Sequence, residues 1–319
     1  MILCANLLLG AVCTENLSTS CFRKWQKSRF DMLSSVFDAS VAKNASYVIF
    51  VGQMFGRDRV PESVIDSFFD IVRNHTQLNV ITILNADEYG RINYRNDIPE
   101  NLFLLCNQIS DSLKKDSLRI NIENNQLLLY YNNSKISIFN EDTSYQVAIK
   151  DNNWRIPSLE PTGFEDSEKG LGGYGILDWN NADSPKYTSV EEEMFSFRSI
   201  EVILRPEDGE KDIIQKINGA VAKIDSKSFV RITLTGRSAF GLTIDGDILA
   251  KQLEQRFFFV EVFDNTVMDI QEDAFENDIS LRSEFVRLAL EDESLSESER
   301  NRLISYGWKA LTETGRTAK

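Results

Sequence analysis

The chain has 319 residues, enough for two domains or one large domain with an appendage. Hydrophobic residues make up 42% of it, which supplies a globular core, and no run is apolar for the roughly 18 residues a membrane helix needs. The formal net charge of -14, from 49 acidic against 35 basic side chains, argues against a protein that grips nucleic acid with its whole surface, since phosphate neutralisation supplies most non-specific affinity.

The opening MILCANLLLG is apolar but lacks a basic leader, so Met1–Ala5 reads as a buried strand rather than a signal peptide. Cys4, Cys13, Cys21 and Cys106 show no CxxC spacing, which argues against a zinc knuckle and against a secreted disulfide scaffold, and points to a reducing, cytoplasmic setting. FRKWQKSRF gathers Arg23, Lys24, Lys27 and Arg29 around Trp25; it is a candidate contact for a DNA backbone, or simply the solvated face of a helix start.

From Ser28 to Ala45 the spacing of Phe30, Leu33, Phe37 and Val41 predicts a helix. The strand YVIFV follows and runs into GQMF, whose Gly52 suits a tight turn at a strand end. Pro61 stands at the start of a second amphipathic helix carrying Val64, Ile65, Phe68, Phe69 and Val72. VITIL then reaches LNADE, completing a β-α-β-α-β series that favours a parallel or mixed sheet covered by helices. His75, the only histidine, lies at the exit of the second helix, where a surface role beside the helix dipole is the simple reading.

Residues 89–150 read as short strands joined by Asn- and Asp-rich turns. Pro185 and the acidic run Glu191–Glu193 mark a link. Beyond it SIEVIL, DIIQKINGAVAKI, FVRITLTG, DGDILAKQLEQRF and FFVEVFDNT alternate strand and helix, with Asp212 and Asp245 or Asp247 as candidate helix caps. After an acidic linker, Ser280 can cap a helix with Leu281, Phe285, Leu288 and Ala289 on one face. Ser296 and Glu299 form a capping box for a last helix bearing Ile304, Trp308 and Leu311, so the chain ends in a helical hairpin.

Three strand-end segments, ANLLLG, VGQMF and LNADE, resemble the metal-ligand motifs of the SbcD nuclease family, a branch of the metallophosphoesterases. That family places Asp-x-His after the first strand, Gly-Asp after the second and Gly-Asn-His-Asp after the third. Against this pattern Asn6, Leu8 and Gln53 stand where ligands would be, Asn85 and Asp87 are retained, and Ala86 replaces a histidine. Two metals about 3.5–4 Å apart need a bridging anion plus imidazoles and carboxylates. Gln53 offers only a neutral amide, and Leu8 and Ala86 offer nothing. The family's later histidine motifs have no counterpart, while Glu168, Lys169, Gly170 and the strand Tyr174–Trp179 match its closing stretch. FFVEVFDNT is similar to the last strand of the capping domain of YhaO-type members, and the hairpin resembles the element that grips the ATPase partner.

The resemblance implies an α/β fold: a reduced metallophosphoesterase-like sandwich over residues 1–190, a small α+β capping domain over 191–270, and a linker with a helical hairpin over 271–319. The missing block implies apolar surface covered by another protein or by rearranged strands. The expected function is a catalytically inactive scaffold subunit in a bacterial DNA-processing, anti-phage or anti-plasmid complex. Its implied partner is an SbcC-like coiled-coil ATPase of the SMC family, the only place ATP is expected; the chain itself is expected to hold no cofactor and no metal. Leu281, Phe285, Leu288, Ile304, Trp308 and Leu311 are the expected docking residues. Homodimerisation through Ser28–Ala45 and Pro61–Asn74, DNA contact mainly through the complex, and a separate nuclease subunit complete the picture. The alternative is a weak Mn²⁺- or Mg²⁺-dependent nuclease using oxygen ligands from Asn6, Gln53, Asn85, Asp87 and Glu88, with Asp58 nearby.

Overall fold

The computed structural model describes residues 1–11, 17–56, 60–108, 112–123, 126–131, 134–141, 144–149, 152–161, 163–164, 172–179, 185–192, 194–239, 242, 244–269, 279–292 and 294–314. Asp58, Glu168, Lys169, Gly170 and most of the acidic linker fall outside these residues. The chain divides into two compact units, Met1–Ser196 and Phe197–Lys319. The fold is mixed α/β, and no helix among the described residues is long and apolar enough to cross a membrane.

In the first unit β1 (Ile2–Ala5), β2 (Tyr47–Val51), β3 (Asn79–Leu84) and β4 (Leu102–Cys106) pair in parallel. The late strands β11 (Gly173–Asp178) and β12 (Lys186–Glu191) extend this sheet antiparallel, in the order β12-β11-β1-β2-β3-β4. The central strands are almost wholly apolar, with Asn79 and Thr82 of β3 as exceptions, because both faces are covered. Ile2, Cys4, Val48, Phe50 and Val80 pack under α1 (Thr19–Ala42) and α2 (Glu62–Arg73). Leu3, Ala5, Ile49, Val51, Ile81 and Ile83 face a second sheet.

That second sheet is an antiparallel meander of β5 (Ser112–Lys115), β6 (Leu118–Glu123), β7 (Gln126–Tyr131), β8 (Ser134–Glu141), β9 (Ser144–Ile149) and β10 (Asn152–Arg155). Its inward side chains alternate along each strand: Leu118, Ile120 and Ile122; Leu127 and Leu129; Ile136 and Ile138; Val147 and Ile149. The apolar face that the sequence leaves open to a partner or to rearranged strands is therefore covered by the chain's own strands.

Helix α1 begins well before Ser28, with the Ser18 side chain accepting from the Cys21 N–H. Its inward stripe is Trp25, Ser28, Arg29, Met32, Leu33, Val36, Phe37 and Ser40, rotated from the predicted one; Val41 is 37% exposed. The two faces share Leu33 and Phe37, and the packing turns the helix so that Trp25, Arg29, Met32 and Val36 are buried with them. Helix α2 follows its predicted face, burying Ile65, Phe68, Phe69 and Val72.

The second unit has the predicted alternation: β13 (Ser196–Leu204), α4 (Glu210–Ala220), β14 (Ser228–Ser238), α5 (Gly246–Leu253) and β15 (Phe259–Asp264). Strand β14 is central, with β15 and the short β16 (Val267–Met268) both parallel to it. Ile213, Ile217 and Val221 pack with Val230, Ile232 and Leu234 in one core. Asp245 caps α5 by accepting the Ile248 N–H, and Asp212 accepts the Gly209 N–H at the start of α4. Helices α6 (Leu281–Glu291) and α7 (Glu297–Thr314) form the terminal hairpin, and α7 rests against β16.

Candidate functional site at the parallel strand ends

Because β1, β2 and β3 are parallel, the segments that follow them emerge at one edge of the sheet. Asn6 and Leu8 both have positive φ, 45° and 48°. Asparagine tolerates this region, whereas a branched apolar residue pays steric strain of about 1–2 kcal/mol there. The Asn6 Oδ1 accepts the Gln53 N–H at 3.1 Å. Gly52 between them has φ 86°, and a Cβ there would lie 2.3 Å from the Asn6 Oδ1 and 2.6 Å from a ring carbon of Tyr145. Only glycine fits, and Tyr145, delivered by β9, closes the site from the other sheet.

The two loops then zip together through their backbones. Leu8 N–H donates to the Gln53 carbonyl at 3.3 Å and Leu9 N–H to the Met54 carbonyl at 2.8 Å. The Gln53 side chain is left exposed.

After β3 a short helix, α3 (Ala86–Ile92), begins at the segment read as a ligand motif. Asn85 is its N-cap, with Oδ1 accepting the Glu88 N–H at 2.8 Å. Ala86 and Asp87 lie exposed in the first turn. Glu88 turns inward and is 5% exposed; its Oε1 accepts the N–H groups of Met54 at 3.0 Å and Phe55 at 2.8 Å, clamping the β2 loop. Its Oε2 is buried with no hydrogen-bond partner among the described residues. Burial pushes the carboxyl pKa up, against the opposing pull of those N–H groups and Arg91; partial burial, and after it the charge of Glu88, raise the pKa of the half-buried Tyr145. Asn85 followed three residues later by Glu88 is a capping-type signal legible in the sequence. The inward turn of Glu88 and the approach of Tyr145 had no such signal.

Replacing Glu88 by alanine orphans two buried N–H groups and should cost about 2 kcal/mol of stability. Glutamine keeps the acceptor and mimics the protonated acid. Because the folded pKa lies above the unfolded value near 4.3, the native state binds the extra proton between the two, and wild-type stability falls as pH rises through that window. The Glu88→Gln protein should therefore gain on wild type from acid to neutral pH. Urea unfolding of both proteins across that range checks this; parallel pH profiles would contradict it.

The sequence-predicted site residues thus divide. Asn6, the Gln53 backbone and Asn85 serve the loop architecture, and Leu8 sits half-buried in its turn. Among the described residues no three His, Cys, Asp or Glu side chains gather to hold a metal. His75 lies before β3, with Nδ1 on the Ile71 carbonyl at 2.7 Å and Nε2 3.3 Å from Asp38.

Of the basic strip, Arg23, Lys24 and Lys27 are exposed, and Lys27 pairs with Asp31 at 2.7 Å. Arg29 is not available to DNA. It is fully buried, donating to the carbonyls of Leu7 at 3.1 Å, Pro161 at 3.0 Å and Glu160 at 3.5 Å, with its guanidinium 4.9 Å from the Trp25 ring centre. The expected DNA role is corrected here: helix phase points this arginine at the strand-end loop instead.

The hairpin needs a similar correction. Val286, Ala289 and Ile304 form its core, with Phe285, Leu290 and Trp308 against them. Ile304 is fully buried, and a Cβ on Gly307 would lie 2.2 Å from the Phe285 ring, so Ile304 and Phe285 hold the two helices together rather than facing a partner. Arg282 stacks over Trp308 at 5.6 Å and donates to the Leu311 carbonyl at 3.3 Å. Leu281 and Leu288 remain outside at 72% and 60% exposure, joined by Leu303 and Tyr306, which the sequence reading passed over. The capping box closes as expected, Ser296 N–H donating to Glu299 at 2.9 Å.

No protein-family model matches the chain, and no curated protein matches it at a significant level.

Proposed function

We propose that this chain is a catalytically inactive, SbcD-like scaffold subunit of a cytoplasmic DNA-processing complex, built on a reduced metallophosphoesterase-like unit. The observation that carries the reading is the use made of the strand-end positions. The amide oxygens of Asn6 and Asn85 are engaged by backbone N–H groups of the same loops, and Glu88 clamps the β2 loop. The alternative of a weak Mn²⁺- or Mg²⁺-dependent nuclease needs those same oxygens for the metal, and gains no support from this arrangement.

The partner in this reading is an SbcC-like coiled-coil ATPase, engaged by the outer face of the hairpin, with a separate nuclease supplying the cut in repair or in defence against phages and plasmids. Affinity purification of the chain from its native operon should recover an SMC-type ATPase. A monodisperse protein that brings down no ATPase under any condition would overturn the scaffold reading. The purified chain should not cleave DNA with Mn²⁺; cleavage that disappears in Asp87→Ala would replace this reading with the nuclease one.

A further inference from the structure

The register of the second sheet assembles a basic row that no sequence pattern announces. Lys114 on β5 stands opposite Arg119 on β6, Arg119 opposite Tyr130 on β7, and Tyr130 opposite Lys135 on β8. All four lie on the face turned away from the first sheet, since their strand neighbours Leu113, Ile120, Leu129 and Ile136 belong to the inter-sheet core. Lys114, Arg119 and Lys135 are exposed. With strands about 4.8 Å apart the row spans about 14 Å.

Several features separate this row from an ordinary solvated face. Lys114 directly opposite Arg119 is a like-charge pair, which costs stability in a sheet. No carboxylate among the described residues forms an ion pair with Lys114, Arg119 or Lys135, although the chain carries 49 acidic residues against 35 basic ones. The neighbouring row, with Asn121, Leu128, Ser137 and Ala148, is uncharged. Tyr130 organises the cations: the Arg119 guanidinium lies 4.5 Å and the Lys135 Nζ 5.8 Å from its ring centre.

We propose that this row is a nucleic-acid backbone contact, binding successive phosphates across the strands without reading bases. A line of cations on a stiff sheet matches a line of phosphates, and screening within about 10 Å lets it act locally on a chain whose net charge repels polyanions. Exposed apolar side chains that would enter a lipid surface are lacking from the row itself. The inference is independent of the ATPase-docking reading.

The test uses the full chain and fluorescein-labelled DNA of mixed sequence, single-stranded and duplex, followed by anisotropy over a salt series. One variant combines Lys114→Gln, Arg119→Gln and Lys135→Gln. A control combines Lys211→Gln, Lys223→Gln and Lys251→Gln, which changes net charge equally on exposed positions of the second unit. The row variant should bind at least about tenfold more weakly at low salt, and its slope of log affinity against log salt should shrink by about 2 for single strands or 3 for duplex. The control should bind like wild type, and both variants should keep the wild-type circular dichroism and melting profile. Equal weakening of both variants, a row variant that binds like wild type, or a wild type that binds anionic phosphatidylserine vesicles but no DNA would each overturn the proposal. Recovery of the ATPase by the row variant leaves the scaffold reading standing whichever way the DNA result falls.

Discussion

Replacing Arg29 by alanine should destabilise the first unit by roughly 3–5 kcal/mol, since hydrogen bonds from a buried charged donor contribute about 1.5–3 kcal/mol each and do not add fully. The guanidinium is fully buried and satisfies the carbonyls of Leu7, Glu160 and Pro161, so its loss leaves buried acceptors without donors. It also releases the turn in which Leu7 lies between Asn6 and Leu8, both at positive φ. The surrounding network is continuous. Glu160, 2% exposed, accepts from the Ser28 hydroxyl at 3.1 Å and from the Met194 N–H at 3.0 Å, tying α1 to the segment after β12. Methionine at position 29 restores volume but no donors, so it should fall between alanine and wild type. Equilibrium unfolding in urea measures all three; an Arg29→Ala protein within 1 kcal/mol of wild type, far below the mutational range for such groups, would show the network to be dispensable.

Deleting residues 280–319 should abolish recovery of the proposed ATPase partner, while the β13–β15 core with α4 and α5 keeps its own buried cluster and folds. The sharper probe leaves the hairpin intact. Leu281→Ser with Leu288→Ser changes only exposed side chains, and should weaken association by about 100-fold, as expected when two apolar anchors of 1–2 kcal/mol each are lost. Phe285→Ala with Trp308→Ala tests hairpin closure instead, because both side chains pack on the Val286, Ala289 and Ile304 cluster. Binding of the partner by the serine pair at wild-type affinity would remove the hairpin's outer face as the docking surface. Aggregation of the deletion protein would instead assign the hairpin to the core of the second unit, through its packing of α7 on β16.

Local chemistry made much of this chain readable from its residues. The apolar runs YVIFV and VITIL read as strands of a sheet covered by helices, and they are strands buried on both faces. The Ser296–Glu299 box, the Ser280 cap and the strand-helix alternation after residue 196 rest on contacts a few residues apart, which sequence spacing specifies directly. That Leu8, Gln53 and Ala86 offer no carboxylate, imidazole or thiol to a metal is likewise a matter of residue identity alone.

What the tertiary structure decided is which of several equivalent local choices survives packing. Helix α1 buries Leu33 and Phe37 as its spacing predicts, but its packing turns the face so that Arg29 points inward and Val41 lies outside. Helix α6 likewise faces α7 with Phe285, Val286 and Ala289 and leaves Leu281 and Leu288 outside, a choice of face that contact with the second helix makes. Asn85 became a helix cap and Glu88 a loop clamp because the end of β2 placed two N–H groups within reach of α3. Tyr145 reaches the strand ends, and Lys114, Arg119 and Lys135 fall into one row, only through strand register. A shift of one residue would send each of those side chains to the opposite face, and no pattern within a single strand records which register its neighbour will take.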